Sequence, residues 1–225
     1  AIAAAVGERD CIVAGGRRLS WSQVDDRTRR LATVLGGAGL GRRPDAPDLP
    51  WASPHDHVAL YLHNGAEYLE GMIGAWVAGA AGVNVNYRYV ADELAHVLAD
   101  SAASAVVYHG TFAATLARVL PDLPPMRLLV QVDDGSGAPL LPGAVDYEDA
   151  LAAASPAQPV GLSPDDRYIL YTGGTTGMPK GVLWRQGDFA ATCLGVTGSA
   201  GELVEAAASR ASLRRGTGRP TTARR

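Results

Sequence analysis

The residues best equipped for chemistry lie in one short stretch, Thr172-Gly173-Gly174-Thr175-Thr176-Gly177-Met178-Pro179-Lys180-Gly181. From Thr172 to Gly177 no position carries a bulky side chain, so the backbone there can approach a ligand closely. Successive exposed N–H groups form an anion-holding concavity, threonine hydroxyls add donors, and glycines admit the positive φ angles that curl such a nest. Phosphate is the guest this chemistry suits. Lys180 adds a compact ammonium at the edge of the loop, and it is the sole lysine among the 20 Lys and Arg residues of the chain. A point charge on a flexible stem serves a phosphate differently from a planar guanidinium.

Three rival readings of the stretch can be weighed. A Walker A loop runs GxxxxGK and then Ser or Thr; here Met178 and Pro179 separate Gly177 from Lys180, and Gly181 follows. A hydrolase nucleophile elbow runs GxSxG from a strand into a helix. Gly173, Thr175 and Gly177 imitate that spacing, but Thr stands for Ser and an apolar run follows Pro179. A plain hairpin between two strands accounts for the Gly and Pro but not for the paired threonines and the lone lysine.

The elements that must position this loop can be read from periodicity. Val58 to Leu62 is a short apolar run, followed by Leu69, Met72, Ile73, Trp76 and Val77 at helical spacing. Val83 and Val85 alternate with Asn84 and Asn86, and Leu94, Val97 and Leu98 then share one helical face. Ala105 to Tyr108 precedes a helix carrying Phe112, Leu116, Val119 and Leu120. Leu128 to Val132 precedes a Gly/Pro loop and a short helix near Asp146 to Ala153. Tyr168 to Tyr171 forms a strand directly before the glycine loop, and Val182 to Trp184 resumes a strand-like run after it. Strands alternating with helices of this length predict an α/β fold with a mostly parallel sheet flanked by helices. Upstream, Ser20 and Gln23 fit a capping box, and Val24, Thr28, Leu31 and Leu35 continue a helix until Gly36 and Gly37. The proline-bearing stretch that follows, up to His57, reads as a surface insertion.

Composition bounds the function classes. The 225 residues are 47% hydrophobic and 19% charged, which excludes disorder for most of the chain. The net charge of -3 belongs to an acidic body and a basic tail, because residues 201–225 hold six Arg and two Glu. An acidic body argues against a nucleic-acid face. No stretch has the run of about 20 apolar residues that crosses a membrane, and the start lacks the layout of a signal peptide. Cys11 and Cys193 form no CxxC pair, so a reducing cytoplasm is the expected setting and no metal site is indicated. His55, His57 and His63 lie near one another without accompanying acidic ligands and read as structural. Met72 and Trp76 read as core, Asp92 and Glu93 as first-turn carboxylates, and Asp165 and Asp166 as turn formers.

The stretch YTGGTTGMPKGV resembles the phosphate-binding signature of AMP-forming acyl-CoA synthetases, in the adenylate-forming superfamily. RRLSWSQVDDRTRRLATVL, VALYLHNGAEYLEGMIGAW and AGVNVNYRYVADELAHVL are similar to the family's early helix and first strand–helix units, and the resemblance covers roughly residues 7–195. The wording NVNYRYVADEL is closest to actinobacterial fatty-acid or steroid side-chain carboxylate ligases. The resemblance implies that a small carboxylate attacks the α-phosphate of Mg-ATP to give an acyl-adenylate, from which coenzyme A displaces AMP. It implies that Thr172, Gly173, Gly174, Thr175, Thr176, Gly177 and Lys180 hold the β- and γ-phosphates. Lys180 either adds charge there or anchors the loop through an acidic neighbour; it does not correspond to the family's catalytic lysine.

The match has limits. The family's acidic YGxTE-type segment, its TGD-type aspartate, its hinge and its small C-terminal domain have no counterpart in this sequence, so no catalytic residue, Mg2+ ligand or coenzyme A site is assigned. The expected division is residues 1–195 as the N-terminal part of an AMP-binding domain and residues 196–225 as a divergent tail, disordered or frameshifted, such as a truncated or frameshifted product would carry. An activity of the whole family and a non-catalytic remnant that binds nucleotide phosphates or a partner are the two functional expectations.

Overall fold

The structure is a computed structural model that describes residues 2–46, 49, 51–159, 161–173, 177–193, 195, 196, 198, 201, 202, 205 and 206. A short helix α1 (Ile2–Val6) leads to a two-stranded antiparallel hairpin, β1 (Asp10–Ala14) and β2 (Arg17–Ser20), and then to α2 (Trp21–Gly37). From there strands and helices alternate: β3 (His57–Tyr61), α3 (Ala66–Val77), β4 (Ala81–Asn84), α4 (Ala91–Asp100), β5 (Ala103–His109), α5 (Ala113–Val119), β6 (Leu128–Val132), β7 (Ala144–Asp146) and α6 (Tyr147–Ala153). The hairpin β8 (Arg167–Thr172) and β9 (Lys180–Arg185) follows, and then α7 (Gln186–Cys193).

Seven strands form one sheet in the order β7-β6-β5-β3-β4-β8-β9. Every neighbouring pair is parallel except β8 with β9. The chain passes from β3 to β4 on one side and then crosses back to β5 on the other, so strand order reverses at β3. In open parallel sheets such a reversal leaves a crevice at the carboxyl ends of the strands.

Alternation along the strands sends side chains to two cores. Ala59, Tyr61, Val83, Val106, Tyr108, Ile169 and Tyr171 face α4 and α5, whose Leu94, Val97, Leu98, Leu116 and Val119 close that layer. Val58, Leu60, Val107, Val130 and Tyr168 face the other way, against Leu31 and Leu35 of α2, Met72 and Ala75 of α3, and Tyr147 and Leu151 of α6. Each such leucine contributes about 1.5–3 kcal/mol on burial. Small residues set the spacing: a Cβ on Gly74 would lie 2.8 Å from Leu31 and one on Gly71 2.9 Å from Leu60. Glycine at both positions therefore lets α3 approach α2 and the sheet.

One fully buried charge ties three helices together. Glu70 accepts from Arg27 Nε at 2.7 Å and from the Tyr147 hydroxyl at 2.8 Å, and Arg27 also donates to Glu148 at 2.7 Å. α2, α3 and α6 thus share one hydrogen-bonded network, and its geometry offsets the desolvation of the buried carboxylate.

The alternation from β3 to β6, the strands β8 and β9, and the capping box at Ser20 and Gln23 follow the sequence-based expectation. Several features differ from it. The β1–β2 hairpin turns at Gly15 and Gly16, both with positive φ (56° and 86°), which suits a two-residue hairpin turn. β7 occupies part of the stretch read as loop, and α7 follows β9 with no buried residue. The proline-bearing stretch exposes Arg42, Arg43, Pro44, Asp45 and Trp51 and is anchored at its ends. Arg43 N–H donates to Pro54 O at 2.8 Å, Asp56 N–H donates to Gly41 O at 2.8 Å, and Ser53 and His55 are buried. Residues 207–225, most of the stretch expected to form a divergent tail, lie outside the described residues. Among the described residues no helix is long and apolar enough to cross a membrane.

Candidate functional site

The glycine loop connects two paired strands of the sheet. β8 and β9 run antiparallel with Tyr171 opposite Gly181 and Thr172 opposite Lys180, so the last residue of one strand and the first of the other form the mouth of the hairpin. Thr172, Gly173, Gly177 and Lys180 are all exposed there. Gly174, Thr175 and Thr176 lie outside the described residues. β8 is buried on both sides before the mouth, with Tyr168, Ile169 and Tyr171 in the core, so the mouth of the hairpin stands on a packed base.

Three side chains from the preceding β4–α4 unit meet the two ends of the loop. At its entry, Asn84 Oδ1 accepts from Tyr171 N–H at 2.6 Å, and Asn84 Nδ2 lies 3.5 Å from Tyr171 O. The Tyr171 hydroxyl donates to Asp100 Oδ2 at 2.5 Å. Burial first, and then the Asp100 carboxylate, push the Tyr171 phenol well above its ordinary range, so it stays a neutral donor. At the exit, Pro179 is buried and its carbonyl lies 2.9 Å from His96 Nε2. A carbonyl can only accept, so His96 carries its proton on Nε2 in this contact.

Lys180 forms no ion pair among the described residues. Of the two roles open from sequence, an acidic partner anchoring the loop is therefore not seen, and its ammonium stands at the exposed mouth beside Thr172.

A second constellation gathers at the carboxyl ends of β3 and β5. His63, His109, Tyr87 and Phe112 stack around one another, with ring centroids 4.9 Å apart for His63 and Tyr87 and 4.8 Å for His63 and Phe112. His109 is 7% exposed, and its Nδ1 accepts from His63 N–H at 2.9 Å. Burial holds its imidazole below the ordinary histidine value, against the opposing pull of Asp134 and Glu67. The two histidines line a cavity of about 260 Å³ with Arg17, Asn64, Gly65 and Glu67. From sequence His63 reads as structural, and the one local signal at His109 is its place at the end of an apolar strand.

The other histidines hold the fold. His55 Nδ1 donates to Gly79 O at 2.8 Å and its Nε2 accepts from Arg167 N–H at 3.3 Å, linking the end of α3 to the start of β8. His57 bonds to Ser101 O at the end of α4. Asp166 accepts from Ser163 N–H at 2.9 Å and from Arg42, shaping the turn before β8. Among the described residues, no group of three or more His, Cys, Asp or Glu side chains is placed to hold a metal ion.

The model of a family described as AMP-binding enzyme matches residues 1–209. The chain belongs to this family. It is 49% identical over 219 residues to the medium-chain acyl-CoA ligase Mig of Mycobacterium avium, covering 93% of this chain and 40% of that protein. It is 39% identical over 204 residues to the medium/long-chain-fatty-acid–CoA/3-oxocholest-4-en-26-oate–CoA ligase of Mycobacterium tuberculosis (strain ATCC 25618 / H37Rv), covering 89% of this chain and 35% of that protein. The fold matches that of the anthranilate CoA ligase AuaEII in complex with anthranoyl-AMP, with a TM-score of 0.72 at 20% identity over 85% of this chain and 35% of that one. The chain thus spans well under half the length of the curated relatives it matches.

Proposed function

We propose that this chain carries the triphosphate-holding portion of an ATP-dependent acid–CoA ligase. The observation that carries the reading is the hairpin mouth at the carboxyl edge of the sheet, where exposed Thr172 and Lys180 face each other across a glycine loop. In the proposed reaction a carboxylate oxygen attacks the α-phosphorus of ATP, pyrophosphate leaves, and the thiol of coenzyme A then displaces AMP from the acyl carbonyl. Backbone N–H groups and hydroxyls from Thr172 to Gly177 hold the β- and γ-phosphates, and Lys180 balances their charge. Donors fixed in advance keep the departing pyrophosphate in line and pay little reorganisation at the moment of reaction.

The residues fit the phosphates of ATP: exposed glycines, an exposed threonine and an ammonium with no ion pair among the described residues. This reading assigns no residue here to Mg2+ or coenzyme A. The names of the relatives support a medium-chain fatty or steroid side-chain acid as substrate, and a cytoplasmic setting is proposed from the cysteine usage alone. Because the chain spans 40% or less of these two relatives, carboxylate-dependent pyrophosphate exchange is not expected from these 225 residues alone.

The test is a chimera in which residues 1–193 replace the matched stretch of the M. avium relative. The chimera should form acyl-CoA from fatty acids with ATP, and Lys180→Met within it should raise the KM for ATP. A folded chimera that forms acyl-CoA equally well with and without the Lys180 ammonium would contradict the role given to the loop.

A further inference from the structure

The two ends of the loop are held by neighbours outside the β8–β9 hairpin. Its entry residue, Tyr171, is held through its backbone by Asn84 and through its hydroxyl by Asp100. Its exit residue, Pro179, is held through its carbonyl by His96. His96 and Asp100 are one turn apart on α4, so a single helix face meets both ends. Pro179 contributes a fixed φ and has no N–H, and among the described residues the His96 bond is the side-chain contact that sets the direction of its carbonyl. That direction in turn fixes the peptide plane leading into Lys180.

We propose that His96 is a positioning residue for the phosphate loop: by donating from Nε2 to the Pro179 carbonyl it holds the start of β9 so that Lys180 and the Gly177 backbone face the same anion. The inference rests on reading the loop as a phosphate cradle. It gives α4 a role in addition to covering the sheet, and it makes the β4–α4 unit part of the site through the loop ends that Asn84, His96 and Asp100 hold.

The test compares the 225-residue chain with His96→Leu, which has no donor, and His96→Gln, whose amide N–H can reach the same carbonyl. Two readouts are used: amide hydrogen exchange at Gly177, Met178, Lys180 and Gly181 without ligand, and calorimetric affinity for magnesium pyrophosphate. His96→Leu should speed exchange at these amides and weaken pyrophosphate binding, each by about tenfold, the size expected from losing one hydrogen bond. Exchange in β3 and β5 should stay unchanged, and His96→Gln should restore both readouts to within about threefold of the original. Unchanged exchange and affinity in His96→Leu would overturn the proposal, as would a loss that His96→Gln fails to recover while remaining folded. Should the unmodified chain bind no pyrophosphate while the exchange pattern appears as expected, the phosphate reading fails and the positioning contact stands. Tight pyrophosphate binding that is indifferent to position 96 would leave the reading intact and remove His96 from it.

Discussion

The ring of Tyr171 lies against Gly181 across the β8–β9 ladder, so closely that a Cβ at position 181 would come within 2.9 Å of it. The glycine after Lys180 therefore has a packing reason in addition to any contact with a ligand. It gives the Tyr171 ring space, and the ring's hydroxyl reaches Asp100 on α4.

Gly181→Ala should displace that ring and strain the base of the loop. The expected loss is about 1–3 kcal/mol, typical of overpacking a filled site, read from urea unfolding midpoints. Tyr171→Phe keeps the ring and removes only the hydrogen bond to a carboxylate, with an expected loss of about 1.5–3 kcal/mol. If the two residues are packed as described, Tyr171→Ala should relieve most of the strain in Gly181→Ala, giving a double-mutant coupling outside additivity.

Arg27→Met should be far more damaging than its position on a helix surface suggests. It leaves Glu70 buried with only the Tyr147 hydroxyl as a partner, and breaking one side of a buried ion pair costs about 3–5 kcal/mol. Glu70→Gln in the Arg27→Met background should recover part of the loss, because the uncompensated charge is then gone. Chemical denaturation of the single and double variants checks both statements.

Stability should decline as pH falls below 6.5. Burial holds His55, His57 and His109 below that ordinary value. In the window beneath 6.5 the unfolded chain therefore binds protons that the folded chain does not, and stability rises with pH there and levels off above it. Glu148, held down chiefly by Arg27, and Asp134, held down by hydrogen bonds that outweigh its burial, add a loss in the same direction at lower pH. His57→Asn should preserve the bond to Ser101 O, since the amide nitrogen mimics Nδ1, and should make the slope shallower by up to about 1.4 kcal/mol per pH unit. Urea midpoints at about pH 8 and about pH 5.5 for the two proteins decide it.

Much of this architecture was legible in the sequence because its strands are buried on both faces and its helices are amphipathic. The Val58–Leu62 run and the Leu94, Val97, Leu98 stripe are what a covered parallel sheet requires. β7 was not legible: it has three residues, Ala-Val-Asp, none fully buried, and it is strand only because β6 lies beside it. The β1–β2 hairpin did carry a signal, Gly15-Gly16 between extended runs, that periodicity alone passes over. The loop announced itself by composition, whereas its supports did not. Asn84 and His96 lie 87 and 83 residues before the positions they hold, and nothing local in the sequence distinguishes them from other polar residues at a strand end and on a helix.

The central claim is that the hairpin mouth holds phosphates through Thr172, the glycine backbone and Lys180. Its most direct test is calorimetric titration of magnesium pyrophosphate into the 225-residue chain and into Lys180→Met. The account predicts saturable binding by the unmodified chain and a loss of about tenfold or more in Lys180→Met, with no change in unfolding midpoint because Lys180 is exposed. Equal affinity in the two proteins, or no binding by either while both are folded, would contradict it.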